Sequence, residues 1–253
     1  MRNYFKIYLS LMLISVINLQ SQDSRDWMLK SIEFKANCAT VYKSATQILD
    51  SALYDRLWSA EVSQAGQEDI WDKKPAIIFD IDETVLDNSG FYKVLEENDT
   101  TYDERLWKKW EIDAKAIAIV GAVDFIKYAT SKGIEIFYIT NRECIPNDSN
   151  KCPEQDYTLS NLEKLGIKTD DYHLLLMNEY KNWKSDKQIR RQMLTEQYRI
   201  LMLFGDDLND FVNNAINLSY DEKYKEFIKY YNFFGEKWFI LPNPVYGSWT
   251  KTK

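Results

Sequence analysis

The chain has 253 residues, of which 45% are hydrophobic and 15% aromatic, so it is long enough for one sizeable domain with a real core. A net charge of −7 and a pI near 5.0 give no sign of a nucleic-acid-binding surface. His173 is the one histidine, which excludes phosphatases with paired catalytic histidines, histidine-rich metallophosphatases and zinc hydrolases of the H-E-x-x-H type. We expect His173 at a strand edge, because the apolar run Leu174–Met177 follows it.

The N-terminus has the pattern of a targeting segment. Arg2 and Lys6 supply positive charge, residues 7–19 are uncharged, and a polar stretch then follows. This apolar run is too short to span a bilayer comfortably and is typical of a secretory signal. We therefore predict a signal peptide over residues 1–21, with a retained signal anchor as the alternative. Since no cysteine follows the apolar run, we expect export, to the periplasm or the medium, without a lipid anchor.

We predict an N-terminal helical segment over residues 22–70 and the main domain over residues 71–253. Apolar residues recur at three-four spacing over residues 24–64, with one or two breaks, which favours helix. The main domain begins with an apolar run, residues 76–79, that leads into Asp80 and Asp82. Such a run is typical of a strand buried on both faces of a parallel sheet.

A helical, aromatic stretch over residues 88–120 separates this strand from the next, where we predict an inserted cap. Its aromatic residues either pack in the core or form a stacking surface for a flat ligand. They are Phe91, Tyr92, Tyr102, Trp107 and Trp110.

Strands and helices alternate over the rest of the chain. Strands are predicted at residues 134–140, 172–177, 200–205 and 238–241. Helices are predicted at residues 121–131, 157–165 and 182–197. The last helix is basic, with Lys184, Lys187, Arg190 and Arg191, and a solvated helix face is its default interpretation. This alternation predicts an α/β fold with a parallel sheet, and the glycine motifs of P-loop and dinucleotide-binding folds are missing.

Three predicted strands end in polar residues. Asp80 and Asp82 follow the first, Thr140, Asn141 and Arg142 end the second, and Asp206 and Asp210 follow another. The carboxyl ends of parallel strands lie at one edge, where open α/β sheets bind ligands. Carboxylates brought together there repel each other unless a cation such as Mg²⁺ is bound. A carboxylate nucleophile, a second acid, a hydroxyl and an ammonium group together are suited to phosphoryl transfer.

These motifs resemble the haloacid dehalogenase (HAD) superfamily and, within it, the class C bacterial acid phosphatases. The segments that carry the resemblance are FDIDETVLDNS, LMLFGDDLND and the tail around Leu241, Asn243 and Tyr246, and the likeness extends over most of the mature chain. The sequence departs from the family at Phe91, where the family has tyrosine, and in lacking the lipoprotein cysteine that many members carry. The implied fold is a HAD-type, Rossmann-like parallel sheet with helices on both faces and a small helical cap.

The resemblance also implies a role for each motif residue. Asp80 corresponds to the nucleophile and a metal ligand, and Asp82 to the general acid and base, with its backbone carbonyl on the metal. Thr140 and Lys187 correspond to the phosphate-binding hydroxyl and lysine. Asp206 corresponds to a further metal ligand, and Asp210 to the acid that positions metal-bound water. In relatives that act on nucleoside monophosphates, aromatic residues at the positions of Trp107 and Tyr246 hold the base. Asn141 and Arg142 are further candidates for substrate binding.

The sequence therefore predicts an exported, Mg²⁺-dependent acid phosphatase that acts on phosphomonoesters, nucleoside 5′-monophosphates included, through a phosphoaspartyl intermediate. The alternatives are a HAD phosphatase with a narrow substrate range, such as a sugar phosphatase, and a storage or binding protein on the same fold. We expect no nucleic-acid polymer as a partner and no stable membrane insertion after signal cleavage, and a homodimer is one option for the assembly. Cys144 and Cys152 either form a disulfide, leaving Cys38 free, or all three are thiols.

Overall fold

The computed structural model of the protein describes residues 24–179 and 183–251, so the predicted signal peptide lies outside the described residues. The strands are β1 (Lys74–Phe79), β2 (Leu86–Asp87), β3 (Ile117–Ala118), β4 (Glu135–Glu143), β5 (Leu174–Met177), β6 (Tyr198–Gly205) and β7 (Trp238–Ile240). Five of them form a sheet in the order β5-β4-β1-β6-β7, and every pairing in it is parallel. The predicted α/β fold with a parallel sheet is confirmed.

Strand β1 lies at the centre of this sheet, between β4 and β6. Ile77 and Phe79 belong to one buried apolar cluster, whereas Ala76 and Ile78 belong to the cluster on the other face. Alternate residues of a strand point to opposite faces, so both faces of β1 are covered, as its unbroken apolar run predicts. The carboxyl ends of β1, β4 and β6 are consequently neighbours at one edge.

The described residues also contain eight α-helices. They are α1 (Ser24–Lys30), α2 (Ile32–Tyr54), α3 (Ser89–Glu97), α4 (Glu104–Asp113), α5 (Ala122–Ser131), α6 (Pro153–Lys164), α7 (Gln188–Thr195) and α8 (Tyr220–Lys229). Helix α2 packs on the sheet through Tyr42, whose ring stacks on Phe204 with 5.3 Å between centroids. The Tyr42 hydroxyl donates a hydrogen bond of 2.7 Å to the Thr84 carbonyl, which ties α2 to the loop after β1.

The N-terminal helix is shorter than the sequence predicts. Helix α2 ends at Tyr54 instead of continuing to residue 64, and the chain runs on in turns and short 3₁₀ segments. The Trp58 indole donates to the Leu201 carbonyl at 2.8 Å, and the Gln64 amide donates to the Tyr198 carbonyl at 2.7 Å. These hydrogen bonds to β6 are tertiary contacts that outweigh the local helical pattern.

Helices α3 and α4 form the inserted segment between β1 and β4. Phe91 of α3 packs against both Trp107 and Trp110 of α4, with centroids 5.1 and 6.0 Å apart. Strands β2 and β3 pair antiparallel at the base of the segment. The sequence did not predict this ribbon, because strands of two residues show no periodicity. The boundaries predicted for the cap, residues 88–120, and for the two larger segments stay predictions.

The structure shows where the cysteines and the one histidine of the sequence lie. Cys144 and Cys152 form a disulfide with 4.6 Å between their Cα atoms, while Cys38 is a buried free thiol. His173 lies in the short turn Asp171–His173 before β5, where its ring nitrogens face Asp170 and Glu135. In the described part of the chain, no helix has the length and apolar character needed to cross a membrane.

Candidate active site

A cavity of about 820 Å³ opens at the carboxyl edge of the sheet. Its wall includes residues from the loops after β1 and β6, from the end of β4, from the cap and from the C-terminal tail. Every site residue predicted from the sequence, except Thr140, is among the described residues that line it: Asp80, Asp82, Trp107, Asn141, Arg142, Lys187, Asp206, Asp210 and Tyr246. The fold therefore brings the predicted residues together around one cavity.

Asp80 is buried at the end of β1, with 7% of its surface exposed. Its backbone N–H donates to the Phe204 carbonyl at 2.9 Å, which fixes the start of the loop against β6. The Lys187 ammonium donates to the Asp80 carboxylate and also contacts Asp210 Oδ1 at 2.5 Å. Burial raises the pKa of Asp80, Lys187 opposes this change, and the charges of Asp210 and Asp82 add to it.

Lys187 stands immediately before α7, which is not the solvated basic helix that its composition suggests. Lys187, Arg190 and Arg191 are all buried, so that default interpretation is wrong for these residues. Arg190 donates to the Thr140 carbonyl at 2.6 Å, and Arg191 donates to the Asp210 carbonyl at 2.8 Å. Lys187, just before α7, thus contributes one cation to the cavity, while Arg190 and Arg191 of α7 hold the end of β4 and the loop after β6.

The loop after β6 is built around the Asp210 side chain. Its Oδ2 accepts the backbone N–H groups of Asp206 and Asp207, at 3.1 and 3.0 Å. A Cβ atom on Gly205 would lie 2.2 Å from that oxygen, so the loop requires glycine at this position. Asp210 therefore uses one oxygen to shape the loop and the other to contact Lys187.

Asp206 lies next to the C-terminal tail. The Asn243 side-chain amide donates to Asp206 Oδ2 at 2.6 Å. Burial raises the pKa of Asp206 well above its usual value, and the charges of Asp80 and Asp210 raise it further, while the Asn243 hydrogen bond and Lys187 lower it. Without a bound cation, the Asp206 carboxylate is costly to ionise in this position.

Glu83 is a third buried carboxyl group of the cavity, and it is fully buried. Its carboxylate accepts the Asn88 backbone N–H at 3.1 Å and the phenolic hydroxyl of Tyr246. Burial, together with the charges of Asp82 and Asp206, raises the pKa of Glu83 well above its usual value. Glu83 thereby connects the loop after β1 to the tail.

Asp82 is held by two side chains. Arg142 approaches it through Nη2 at 2.8 Å and Nε at 3.1 Å, and the Asn88 side-chain amide donates to Oδ1 at 2.8 Å. Thr140 is fully buried, and its hydroxyl accepts the backbone N–H of Arg142 at 3.1 Å. Asn141, at the wall of the cavity, accepts a hydrogen bond of 3.0 Å from Arg190 through its side-chain oxygen.

Aromatic side chains form the outer wall of the cavity. Trp107 is half-buried between Phe91 and the Arg142 guanidinium, whose central carbon lies 5.8 Å from its ring centroid. Tyr246 is 41% exposed. Phe91, Tyr92 and Trp110, in contrast, are buried in the core. Trp110 is thus a core residue, whereas Phe91 and Tyr92 are buried and also line the cavity. Tyr102 and Trp107 line the cavity and keep part of their surface exposed.

The donor set at the cavity floor fits a hard divalent cation in charge and chemistry. No three side chains of His, Cys, Asp or Glu within residues 24–179 and 183–251 are grouped so that they alone could hold a metal ion. However, Asp80, Glu83 and the half-buried Asp206 each have a raised pKa, because burial and the neighbouring acids disfavour their charged forms, and a cation bound among them would offset that cost. Carboxylate and carbonyl oxygens are the ligands that Mg²⁺ and Ca²⁺ prefer.

The sequence pointed to the motif acids but missed the residues that hold them. Asn88, Arg190, Arg191 and Asn243 each donate a hydrogen bond to a site residue. Asn88 and Asn243 stand in two of the three segments that carry the family resemblance, and this was a usable signal. For Arg190 and Arg191 the sequence carries no such signal, since a charge pattern does not tell which helix face is buried.

Residues 14–249 match the family model described as HAD superfamily, subfamily IIIB (acid phosphatase). The chain belongs to this family, as its motifs predict. Among solved structures, it is similar to the class C acid phosphatase from Bacillus anthracis, with 31% identity and a TM-score of 0.72, over 89% of this chain and 84% of that one. The same enzyme with tungstate bound gives 33% identity and a TM-score of 0.74 over the same shares.

Two plant proteins are more distant relatives. Acid phosphatase 1 of Solanum lycopersicum is 25% identical over 195 residues, which are 74% of this chain and 62% of that protein. The stem 31 kDa glycoprotein of Glycine max is 28% identical over 180 residues, 67% of this chain and 58% of that protein. The chain thus spans about three fifths of the length of these curated relatives. The family is shown by the match of residues 14–249 to the family model, and the fold by the likeness to the Bacillus anthracis structures.

Proposed function

We propose that the protein is an exported, Mg²⁺-dependent acid phosphatase that hydrolyses phosphomonoesters through a phosphoaspartyl intermediate on Asp80. One observation carries the proposal: Asp80, Lys187 and Asp82 meet at the floor of an open cavity in a chain of the acid phosphatase family. In this chemistry, a carboxylate acts as the nucleophile, an ammonium group binds the phosphoryl oxygens, and a second acid transfers protons.

The proposed reaction has two steps, formation and hydrolysis of an aspartyl phosphate, and a residue is assigned to each chemical role in them. A carboxylate oxygen of Asp80 attacks phosphorus, and the bond from phosphorus to the ester oxygen breaks. Asp82 gives a proton to that leaving oxygen and then takes one from the water that hydrolyses the aspartyl phosphate. Lys187, with its Nζ between Asp80 and Asp210, holds phosphoryl oxygens close to the nucleophile. Thr140 is proposed to hold another of these oxygens through its hydroxyl.

Asp80, Asp206 and the Asp82 carbonyl are the proposed metal ligands, with Asp210 placing a water molecule beside them. This set contains two carboxylate side chains, so it does not depend on a cluster of three. When bound, the cation offsets the charge of the phosphoryl group and of the acids around it. Mg²⁺ is the proposed ion because it prefers oxygen ligands and uses one or two carboxylates together with substrate phosphate.

The wall of the cavity supports nucleoside 5′-monophosphates as substrates. Trp107 and Tyr246 both line it and retain surface on it, as a pair of rings that binds a flat base requires. Asn141 is a further substrate-binding candidate. A sugar phosphate would use fewer of these aromatic surfaces, which is why we place a narrow sugar phosphatase second. A non-catalytic storage protein is the third candidate, and we place it last because the proposed nucleophile, Asp80, is present.

Export without a lipid anchor is part of the proposal. The disulfide between Cys144 and Cys152 supports it, because such bonds persist in oxidising compartments. Mass spectrometry of the mature protein should find an N-terminus near Gln22, whereas a chain that keeps Met1 in the membrane fraction would contradict export. The homodimer stays an option that the sedimentation of the purified protein decides.

The test of the function is a panel of phosphate esters assayed with and without added metal ions. It contains nucleoside 5′-monophosphates, sugar phosphates, p-nitrophenyl phosphate and an aliphatic phosphate. We expect hydrolysis of most esters with Mg²⁺, and inhibition by tungstate, the oxyanion carried by the Bacillus anthracis relative. Turnover confined to one sugar phosphate would favour the second candidate. No turnover of any ester with any metal ion would favour the third.

A further inference from the structure

The Arg142 guanidinium is turned towards Asp82. It is 5% exposed, and each of its three nitrogens has a partner. Nε and Nη2 donate to the Asp82 carboxylate at 3.1 and 2.8 Å, and Nη1 donates to Thr158 Oγ1 at 3.1 Å. A guanidinium that presents its fork to one carboxylate restricts the orientation of that carboxylate, which a single point charge would not do.

Asn88 holds Asp82 from a second direction. Its side-chain amide donates to Asp82 Oδ1 at 2.8 Å, and its side-chain oxygen accepts the Trp110 indole N–H, also at 2.8 Å. Trp110 belongs to α4, and so does Trp107, whose ring lies against Arg142. Arg142 and Asn88, the two residues that hold Asp82, are therefore both in contact with α4, which lies at the wall of the cavity.

We propose that Arg142 and Asn88 are positioning residues that orient the Asp82 carboxyl towards the leaving oxygen of the substrate, and that Arg142 is not a phosphate ligand. The proposal rests on the proposed function, in which Asp82 is the general acid. It replaces the substrate-binding role that the sequence predicts for Arg142. Because Arg142 and Asn88 both contact α4, the helix that carries Trp107 also helps to orient Asp82.

This role predicts a dependence on the leaving group. An aliphatic alcohol leaves as a strongly basic oxygen and needs the proton from Asp82, whereas p-nitrophenolate leaves readily without one. A misaligned Asp82 therefore lowers kcat/KM for an aliphatic phosphate more than for p-nitrophenyl phosphate. A phosphate-binding role or a general loss of structure would lower both values by the same factor, because both esters share the phosphoryl group.

The test is the ratio of kcat/KM for p-nitrophenyl phosphate to that for glycerol 2-phosphate, measured on Arg142→Lys and Asn88→Ala. Lysine keeps the charge at residue 142 and loses the fork, and alanine at residue 88 changes no charge. We expect the ratio to rise at least about 10-fold in each variant, as loss of part of a general-acid effect of about 10²- to 10⁴-fold implies. Arg191→Lys is the matched control, since Arg191 is another buried arginine whose contacts avoid Asp82.

An unchanged ratio in both variants, with equal losses on the two esters, would overturn the proposal. A raised KM for both esters in Arg142→Lys would assign Arg142 to phosphate binding. If Arg142→Lys does not fold, the ratio in Asn88→Ala decides alone. As a first control, the native protein must hydrolyse both esters. If it hydrolyses neither, the proposed function is refuted, and the role proposed for Arg142 is refuted with it, because that role requires Asp82 to act as a general acid.

Discussion

Lys187 is a buried cation that pairs with more than one acidic residue at the candidate site. It is 4% exposed and contacts two buried carboxylates, Asp80 and Asp210. Burial alone would lower the pKa of Lys187, yet the charges of Asp210 and Asp80 outweigh this and raise it. The ammonium is therefore held charged, and its removal would leave the two acids without their shared cation.

We predict that Lys187→Met destabilises the metal-free protein by about 3–5 kcal/mol, the usual effect of removing one partner of a buried ion pair. Lys184→Met is the control, because Lys184 is exposed three residues earlier, and it should change stability by less than about 0.5 kcal/mol. Urea unfolding of both variants in the presence of a chelator measures the difference. Equal stabilities for the two variants would contradict the placement of Lys187.

We propose that Trp107 and Tyr246 bind the base of a nucleotide substrate. Stacking contributes about 1–3 kcal/mol per base, so Trp107→Ala and Tyr246→Ala should each raise KM for a nucleoside 5′-monophosphate by about 5- to 150-fold. This energy acts away from phosphorus, so KM for a small aliphatic phosphate should stay within about 2-fold. Equal losses on both substrates, in variants with unchanged melting temperatures, would rule out a base-binding role.

At the scale of elements, the end of β4 is fastened by the disulfide and by α6. The Cys144–Cys152 bond closes a loop of eight residues between β4 and α6. Directly after it, Glu154 accepts the Ile145 N–H at 2.9 Å and pairs with Lys108 of α4. The cap is thus connected to the same short loop that follows Arg142.

Replacing both cysteines, Cys144→Ser with Cys152→Ser, should reduce the free energy of unfolding by about 2–3 kcal/mol, the value expected for a loop this short. Reductant should lower the melting temperature of the native protein to that of the double variant. The variant itself should not respond to reductant, since Cys38 has no disulfide partner among the described residues. A reductant effect on the variant would show that another bond is present in the protein.

Elements were predictable from the sequence where one physical signal dominated. The apolar run of β1 was recognisable because both its faces are buried, and the acids after it stood out by contrast. The β2–β3 ribbon and the early end of α2 were not, because they depend on partners distant in the chain, such as Leu201 for Trp58. Arg190 and Arg191 were misassigned for the same reason, since their carbonyl partners are distant in the chain: Thr140 in β4 and Asp210 in the loop after β6.

At the scale of the molecule, the carboxyl edge of the sheet brings several acidic side chains close together. Asp80 and Asp206 come from adjacent strands, and each has a raised pKa in the metal-free state. A cation that binds the folded state between these acids would offset the cost of ionising them, so we expect it to stabilise the whole domain.

We predict that chelation lowers the melting temperature and that Mg²⁺ restores it, together with activity. In Asp206→Asn, the melting temperature without metal should be equal or higher, because one repelling carboxylate is gone, and the response to Mg²⁺ should disappear. Calorimetric scans of both proteins with and without Mg²⁺ provide the comparison. A full Mg²⁺ response in Asp206→Asn would remove Asp206 from the metal site.

The most direct test of the proposed mechanism is the fate of Asp80 during turnover. Asp80→Asn keeps the shape of the side chain and removes the nucleophilic charge. We expect its activity on every ester to fall by orders of magnitude, with the melting temperature maintained. Acid quenching of the native protein during turnover should show a phosphoryl group on the peptide that contains Asp80, and the variant should show none. Retention of more than about a tenth of native activity in Asp80→Asn, or a phosphoryl group on another residue, would contradict the account.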